Sequence, residues 1–116
     1  MSAAVKEEIE YADFARLDVR VGEILTVTEV ENSNKLMRLR VDFGDHRRTI
    51  LAGIKQERDD PTAMAGLQAL FVVNLAPRKM AGEMSEGMLF DLGYEDSITP
   101  CLAVPENVVP NGTRAG

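Results

Sequence analysis

The sequence predicts an all-β fold: a five-stranded barrel with one short helix between strands 3 and 4, plus N- and C-terminal extensions. Three observations point there. Five short strand-like runs are bounded by turn residues, a single capped helical segment follows the third of them, and the first run is long, with an apolar phase that slips midway. A small β-sandwich of the same strands is the alternative.

Residues 1–10 read as a polar, flexible lead-in and residues 11–116 as one domain. Tyr11, Phe14 and Leu17 share a helical face, a short amphipathic turn able to pin the N-terminus onto the body. Asp18 to Val30 is the first strand; its alternation slips after Gly22 and Glu23, which predicts a bulge or a sharp coil. Asn32-Ser33-Asn34 is a turn. From Lys35 to Phe43 the residues Met37, Leu39, Val41 and Phe43 point one way, while Leu36, Arg38, Arg40 and Asp42 point the other. Gly44-Asp45 turns the chain into the third strand, Arg47 to Ile54, and that hairpin places Arg38 and Arg40 near Arg47 or Arg48. Like charges facing each other across a sheet are unfavourable, so the hairpin predicts a counter-anion.

Asp60 is an N-cap, Pro61 a first helical residue and Gly66 a terminator, giving a helix of one to two turns. Leu67 to Val73 is a buried strand by its continuous apolar character, Met88 to Leu92 is the fifth, and Ile98 to Val104 is a further candidate containing Cys101. The tail from Pro105 is loop-like, with a turn at Pro110-Asn111-Gly112. This order, with a long coiled first strand, is that of an OB-fold barrel, whose side face commonly takes oligonucleotides.

The 116 residues suffice for one core without staples. One cysteine and one histidine leave no Cys/His metal constellation and no internal disulfide. No apolar run reaches the ~20 residues of a membrane span, and the acidic start has no signal-like apolar core. A reducing, cytoplasmic setting is expected. The net charge of -6 argues against indiscriminate polyanion binding. Its distribution is uneven: residues 1–31 carry three cations against eight carboxylates, whereas residues 35–55 carry six cations (Lys35, Arg38, Arg40, Arg47, Arg48, Lys55) against Asp42 and Asp45. An acidic protein can therefore present a basic face.

Between the fourth and fifth strands lies Asn74 to Met88, longer than a hairpin needs. It holds Arg78 and Lys79, two glycines, Ser85, and the methionines Met80, Met84 and Met88. Long loops on rigid scaffolds often carry binding. The alternative is that its glycines only turn the chain and its methionines only fill the core, the role expected of Met88.

Taken in order, Asp13-Phe-Ala-Arg-Leu-Asp-Val-Arg-Val-Gly-Glu-Ile24, Asn34-Lys-Leu36, Val41-Asp-Phe-Gly44, Asn74-Leu-Ala-Pro-Arg-Lys-Met80 with Gly82, and Ser85-Glu-Gly-Met88 resemble the tRNA-binding domain family. That family includes the C-terminal domain of many methionyl-tRNA synthetases, free-standing bacterial tRNA-binding proteins and the CsaA-type secretion chaperones. The resemblance runs from about Tyr11 to the C-terminus. It implies an OB-fold, a homodimer in free-standing members, and binding of structured tRNA without catalysis or cofactor. By position it assigns Lys35, Asn74, Arg78, Lys79 and Ser85 to the site. Two departures stand out: the usual His-Pro is missing at the Asn34 turn, and Ala81 replaces an arginine that many members carry.

The expected RNA-binding set is therefore Lys35, Arg38, Arg40, Arg47, Arg48, Arg78 and Lys79 for phosphates, with Asn74 and Ser85 either bonding to sugars and bases or bracing the loop. Few aromatics are available for stacking, which favours recognition by shape and backbone. An aminoacyl-tRNA synthetase is a candidate partner. The alternative function is a chaperone that holds unfolded or exported polypeptides in a Met-lined apolar cleft. Catalysis is not expected: His46 reads as an exposed turn residue, Cys101 as a buried core thiol, and Asp59-Asp60 as a cap rather than a metal pair.

Overall fold

The computed structural model describes residues 3–116. The first four strands are β1 (Val19–Glu29), β2 (Met37–Asp42), β3 (Arg47–Ala52) and β4 (Gln68–Val72). A small hairpin follows, β5 (Arg78–Met80) and β6 (Glu83–Ser85), and then β7 (Met88–Leu89). The main sheet runs β3-β2-β1-β4-β7 with every neighbour antiparallel. This is the predicted all-β barrel, nearly closed, with a short 3-10 helix, Pro61–Met64, between its third and fourth strands.

β1 is long because it serves two partners. Its first half pairs with β4, from Val19 opposite Val72 to Glu23 opposite Gln68. Its second half pairs with β2, and the register shifts between Ile24 and Thr26, so the bulge residue is Leu25. Gly22 has a different task from the one its place in the pattern suggests. A Cβ there would lie 2.5 Å from Val41 Cγ1 and 2.6 Å from Phe43 Cε1. β1 coils closely across the core because residue 22 has no side chain to obstruct it.

The core is the inward face of the alternation: Ile24, Leu39, Val41, Phe43, Ile50 and Phe71 are all fully buried, and the Phe43 and Phe71 rings meet edge to face at 5.5 Å. The Asp60 carboxylate caps the 3-10 helix by accepting from Thr62 N. Beyond that helix, Gly66 N donates to Ile24 O and Ile24 N to Leu67 O, which fastens the turn to the bend of β1.

The barrel closes between β3 and the chain around β6 and β7 largely through side chains. Leu51 N donates to Ser85 Oγ at 3.0 Å, Thr49 N to the Glu86 carboxylate at 2.9 Å, and Glu86 N returns a bond to Thr49 O. Ser85-Glu86 thus supplies acceptors that a full-length partner strand would otherwise provide.

Several expectations need correction. The helix α1 (Tyr11–Phe14) forms but buries nothing, and Tyr11, Phe14 and Leu17 stay exposed. Leu67 is likewise exposed, so the buried part of its strand is shorter. Instead of a strand from Ile98 to Val104 there is only β9 (Cys101–Leu102), paired with β8 (Asp91–Leu92). A 3-10 turn at Tyr94–Asp96 and Pro100, which has no N–H, shorten it. Cys101 is exposed rather than a core thiol. Met88 is also substantially exposed. The tail ends in β10 (Arg114–Ala115), added to the edge of β1. It is strapped down by Gln68, which bonds both ways with the Val109 backbone and donates to Asn111.

Candidate nucleic-acid interface

The stretch from Asn74 to Met88 is structured. Ala81 and Gly82 form its two-residue tip with φ of 49° and 84°, the doubly positive signature of a tight hairpin turn. Arg78 pairs with Ser85, Lys79 with Met84 and Met80 with Glu83. Side chains alternate along a strand, so Arg78, Met80, Glu83 and Ser85 share the face toward the barrel and Lys79 and Met84 share the other. The two adjacent cations therefore flank the hairpin on opposite sides.

Glu83 holds this hairpin to the barrel. Arg38 on β2 donates from Nε to Glu83 Oε1 at 2.7 Å and from Nη2 to Glu83 Oε2, a bidentate pair. Arg38 Nη1 donates to Thr28 Oγ1 and to Glu29 O. The Arg38 hydrogen bonds lower the Glu83 pKa and, reciprocally, raise that of Arg38.

Three more of the expected site residues are also engaged by the protein itself. Arg48 Nη1 donates to Val73 O and Glu86 O, joining the end of β4 to the segment after β6. The Asn74 side chain accepts from Asp18 N at 2.8 Å and donates to Arg16 O at 2.6 Å. It is Asn74, not an apolar helix face, that pins the N-terminal segment. Ser85 is 3% exposed; it accepts from Leu51 N and donates to Gly87 O. Bracing is the role seen for Asn74 and Ser85.

Lys35, Arg40, Arg47, Arg78 and Lys79 are exposed. Arg40 lies diagonally across from Arg47 on the outer face of the β2–β3 hairpin, but no two arginines stand directly opposite each other. Arg38 faces Leu51, Arg40 faces Thr49, Val41 faces Arg48 and Asp42 faces Arg47. The register set at the Gly44-Asp45 turn gives each arginine a neutral or opposite-charge partner directly across, so directly opposed like charges are no argument for an anion there. Arg40 donates to Thr49 Oγ1 at 3.1 Å and keeps an exposed guanidinium.

Two cations outside the expected site set lie together in the structure. Arg20 on β1 and Arg114 on β10 are cross-strand partners. Arg20 grips Asp18 through Nε at 2.9 Å and Nη2 at 3.0 Å. That hydrogen bond, then the nearby charges of Arg20, Arg114 and Arg48, hold the Asp18 carboxyl below the usual carboxylate range. Arg114 lies at the far end of the chain, and no spacing rule connects it to Arg20. Next to this cluster a cleft of about 500 Å³ is lined by His46, Arg47, Arg48, Glu86 and the run Val73–Pro77. His46 is half-buried against Phe43, with Nδ1 bonded to Asp45.

The arrangement is one of guanidinium and ammonium groups on a braced barrel. Among the described residues no group of three or more His, Cys, Asp or Glu is placed to hold a metal ion, and no helix is long and apolar enough to cross a membrane.

Residues 19–114 match the family model described as "Putative tRNA binding domain". A methionine–tRNA ligase from Parabacteroides distasonis is 39% identical over 106 residues, which is 91% of this chain but 16% of that protein. The chain thus spans a small part of that relative's length. Among solved structures, a MetRS related protein from Pyrococcus horikoshii superposes with a TM-score of 0.87 at 33% identity, covering 96% of this chain and all of that one. The chaperone CsaA from Bacillus anthracis superposes with a TM-score of 0.82 at 30% identity, covering 95% of this chain and all of that one.

Proposed function

The chain belongs to the tRNA-binding domain family, and from that premise we propose that it is a non-catalytic module that binds structured tRNA by its shape and phosphate backbone. The observation that carries this reading is the family match, which runs across the whole barrel from β1 to β10. Lys35, Arg40, Arg47, Arg78 and Lys79 are the phosphate contacts, since all five present their charge to solvent. Arg38, Arg48, Asn74 and Ser85 hold the frame on which those cations sit. The working partners are tRNA and a second copy of the chain in a homodimer. An aminoacyl-tRNA synthetase is a further partner, supported by the methionine–tRNA ligase that carries a related segment. The proposed compartment is the cytoplasm.

Titration with tRNA at several salt concentrations tests the reading. Five phosphate contacts predict that log K falls by about 3.5 to 4.5 per decade of salt. Removing two of them with Arg78→Ala and Lys79→Ala is expected to lower that slope by roughly 1.4 to 1.8 and leave the thermal midpoint unchanged. Binding that is flat with salt would overturn the proposal.

A chaperone reading has its own support in the superposition on CsaA and in the exposed side chains of Leu75, Met84 and Met88. It predicts that the pure protein suppresses aggregation of an unfolded polypeptide and does not retain tRNA. An unfolded polypeptide added as competitor to the tRNA titration separates the two readings.

A further inference from the structure

The barrel-facing side of the β5–β6 hairpin does not lie flat on β3 and β7. It leaves a slot of about 400 Å³ lined by Leu51, Leu75, Ala76, Arg78, Met80, Ser85, Gly87 and Met88. Leu75 and Met88 are 43% and 44% exposed, so the mouth of the slot is apolar and uncovered. Its floor includes Gly87, where a Cβ would stand 2.8 Å from Val72 O and 3.2 Å from the Ile50 side chain, so only glycine keeps the floor low. The Ser85 hydroxyl is spent on Leu51 N and Gly87 O. One cation belongs to the slot: Arg78, held on the slot side by the alternation that sends Lys79 to the other face.

We propose that this slot takes one unpaired nucleotide of the bound RNA, with the base among Leu75, Met80 and Met88 and the phosphate on Arg78. The inference rests on the tRNA reading and adds a subsite to it. An apolar cleft with a single guanidinium at its edge complements a ligand with a flat apolar body and one adjacent negative charge. Unpaired bases in RNA loops are splayed out and so become available to a protein cleft. The chain offers no tryptophan for stacking, and methionine side chains can adapt to a base face in its place.

The test uses the full chain and one tRNA transcript titrated from low to high salt. Leu75→Ala and Met88→Ala are each expected to weaken binding by about tenfold at every salt concentration, because a lost base contact has no counterion term. Ala76→Phe, which fills the slot instead of emptying it, is expected to have the same effect. All three keep the salt slope of the parent, whereas Arg78→Ala lowers it by roughly 0.7 to 0.9. All three positions are exposed, and unchanged thermal midpoints confirm folding. Parent-like affinity in Leu75→Ala, Met88→Ala and Ala76→Phe overturns the subsite and leaves the phosphate reading intact. Absence of salt-dependent tRNA binding in the parent overturns both. If the variants lose an unfolded polypeptide probe but keep tRNA affinity, the slot belongs to peptide and the proposal fails.

Discussion

Ala81 occupies the first position of the β5–β6 turn with φ of 49°, where a residue with a Cβ is held at a cost of about 1–2 kcal/mol. Asparagine tolerates this conformation far better, and Asn-Gly is the preferred pair for such a turn. Ala81→Asn is therefore expected to raise stability by about 0.5–1 kcal/mol, read as a higher urea midpoint at constant m-value. A lower midpoint would show that the tip is not left-handed in solution. Ser85 makes the opposite case. Its hydroxyl is the only side-chain group bonded to Leu51 N among the described residues, and it lies in the seam that closes the barrel. Ser85→Ala leaves that buried donor unpaired and is expected to cost about 1–3 kcal/mol. The salt slope of tRNA binding should be unaltered, since no phosphate contact is lost. A reduced slope with normal stability would instead make Ser85 a ligand contact. Both residues stood out in the sequence, yet their roles did not: a serine between glycines and carboxylates signals a loop equally well whether it touches RNA or the backbone of another strand.

At the scale of elements, the Arg38–Glu83 pair makes the hairpin and the β2 face one unit. The hairpin has only three residues in each strand and would be marginal alone. Glu83→Gln is expected to let it swing and to weaken tRNA binding, although it removes a negative charge from the face. The exchange Arg38→Glu with Glu83→Arg, which rebuilds the pair in reverse, should restore most of the affinity. If Glu83→Gln binds tRNA more tightly and with a steeper salt slope, Arg38 is a phosphate ligand released from its carboxylate, and the bracing role is lost. This pair was illegible in the sequence because its partners are 45 residues apart. The second and third strands were legible because an unbroken period of two survives in Met37–Phe43 and because Gly44-Asp45 marks the turn between them. The β5–β6 hairpin was not, since its strands mix charged, apolar and small residues and its turn begins with alanine. The strand expected over Ile98–Val104 was overextended for the converse reason: apolar residues there face solvent, and hydrophobicity alone does not report an absent partner.

For the molecule as a whole, pH is the variable that separates its two kinds of carboxylate. Asp18, Asp45 and Glu83 are held below their ordinary values, chiefly by hydrogen bonds to Arg20, His46 and Arg38 respectively. Their contribution is present above those ordinary values and is lost as pH falls, and it is small because these groups are solvated. Glu57 behaves oppositely. Burial first, and then the neighbouring carboxylate of Asp91, raise it from 4.5 to about 7, against a smaller lowering by Arg58. The folded state then binds a proton that the unfolded chain has released, so this stabilisation is full below pH 4.5 and disappears as pH rises through about 7. Glu57 lies on the turn after β3 and Asp91 on β8, so ionisation sets two carboxylates against each other across the end of the barrel. The net charge of -6 adds a general repulsion that also grows with pH. Comparison with Glu57→Gln separates the two effects, because the amide keeps the shape and cannot ionise. Urea midpoints measured from pH 4.5 to 8 are expected to fall more steeply in the parent than in Glu57→Gln, with the difference growing steadily between pH 4.5 and about 7 and levelling off above it. Parallel curves would mean that Glu57 titrates as an ordinary exposed carboxylate and that the decline belongs to net charge alone.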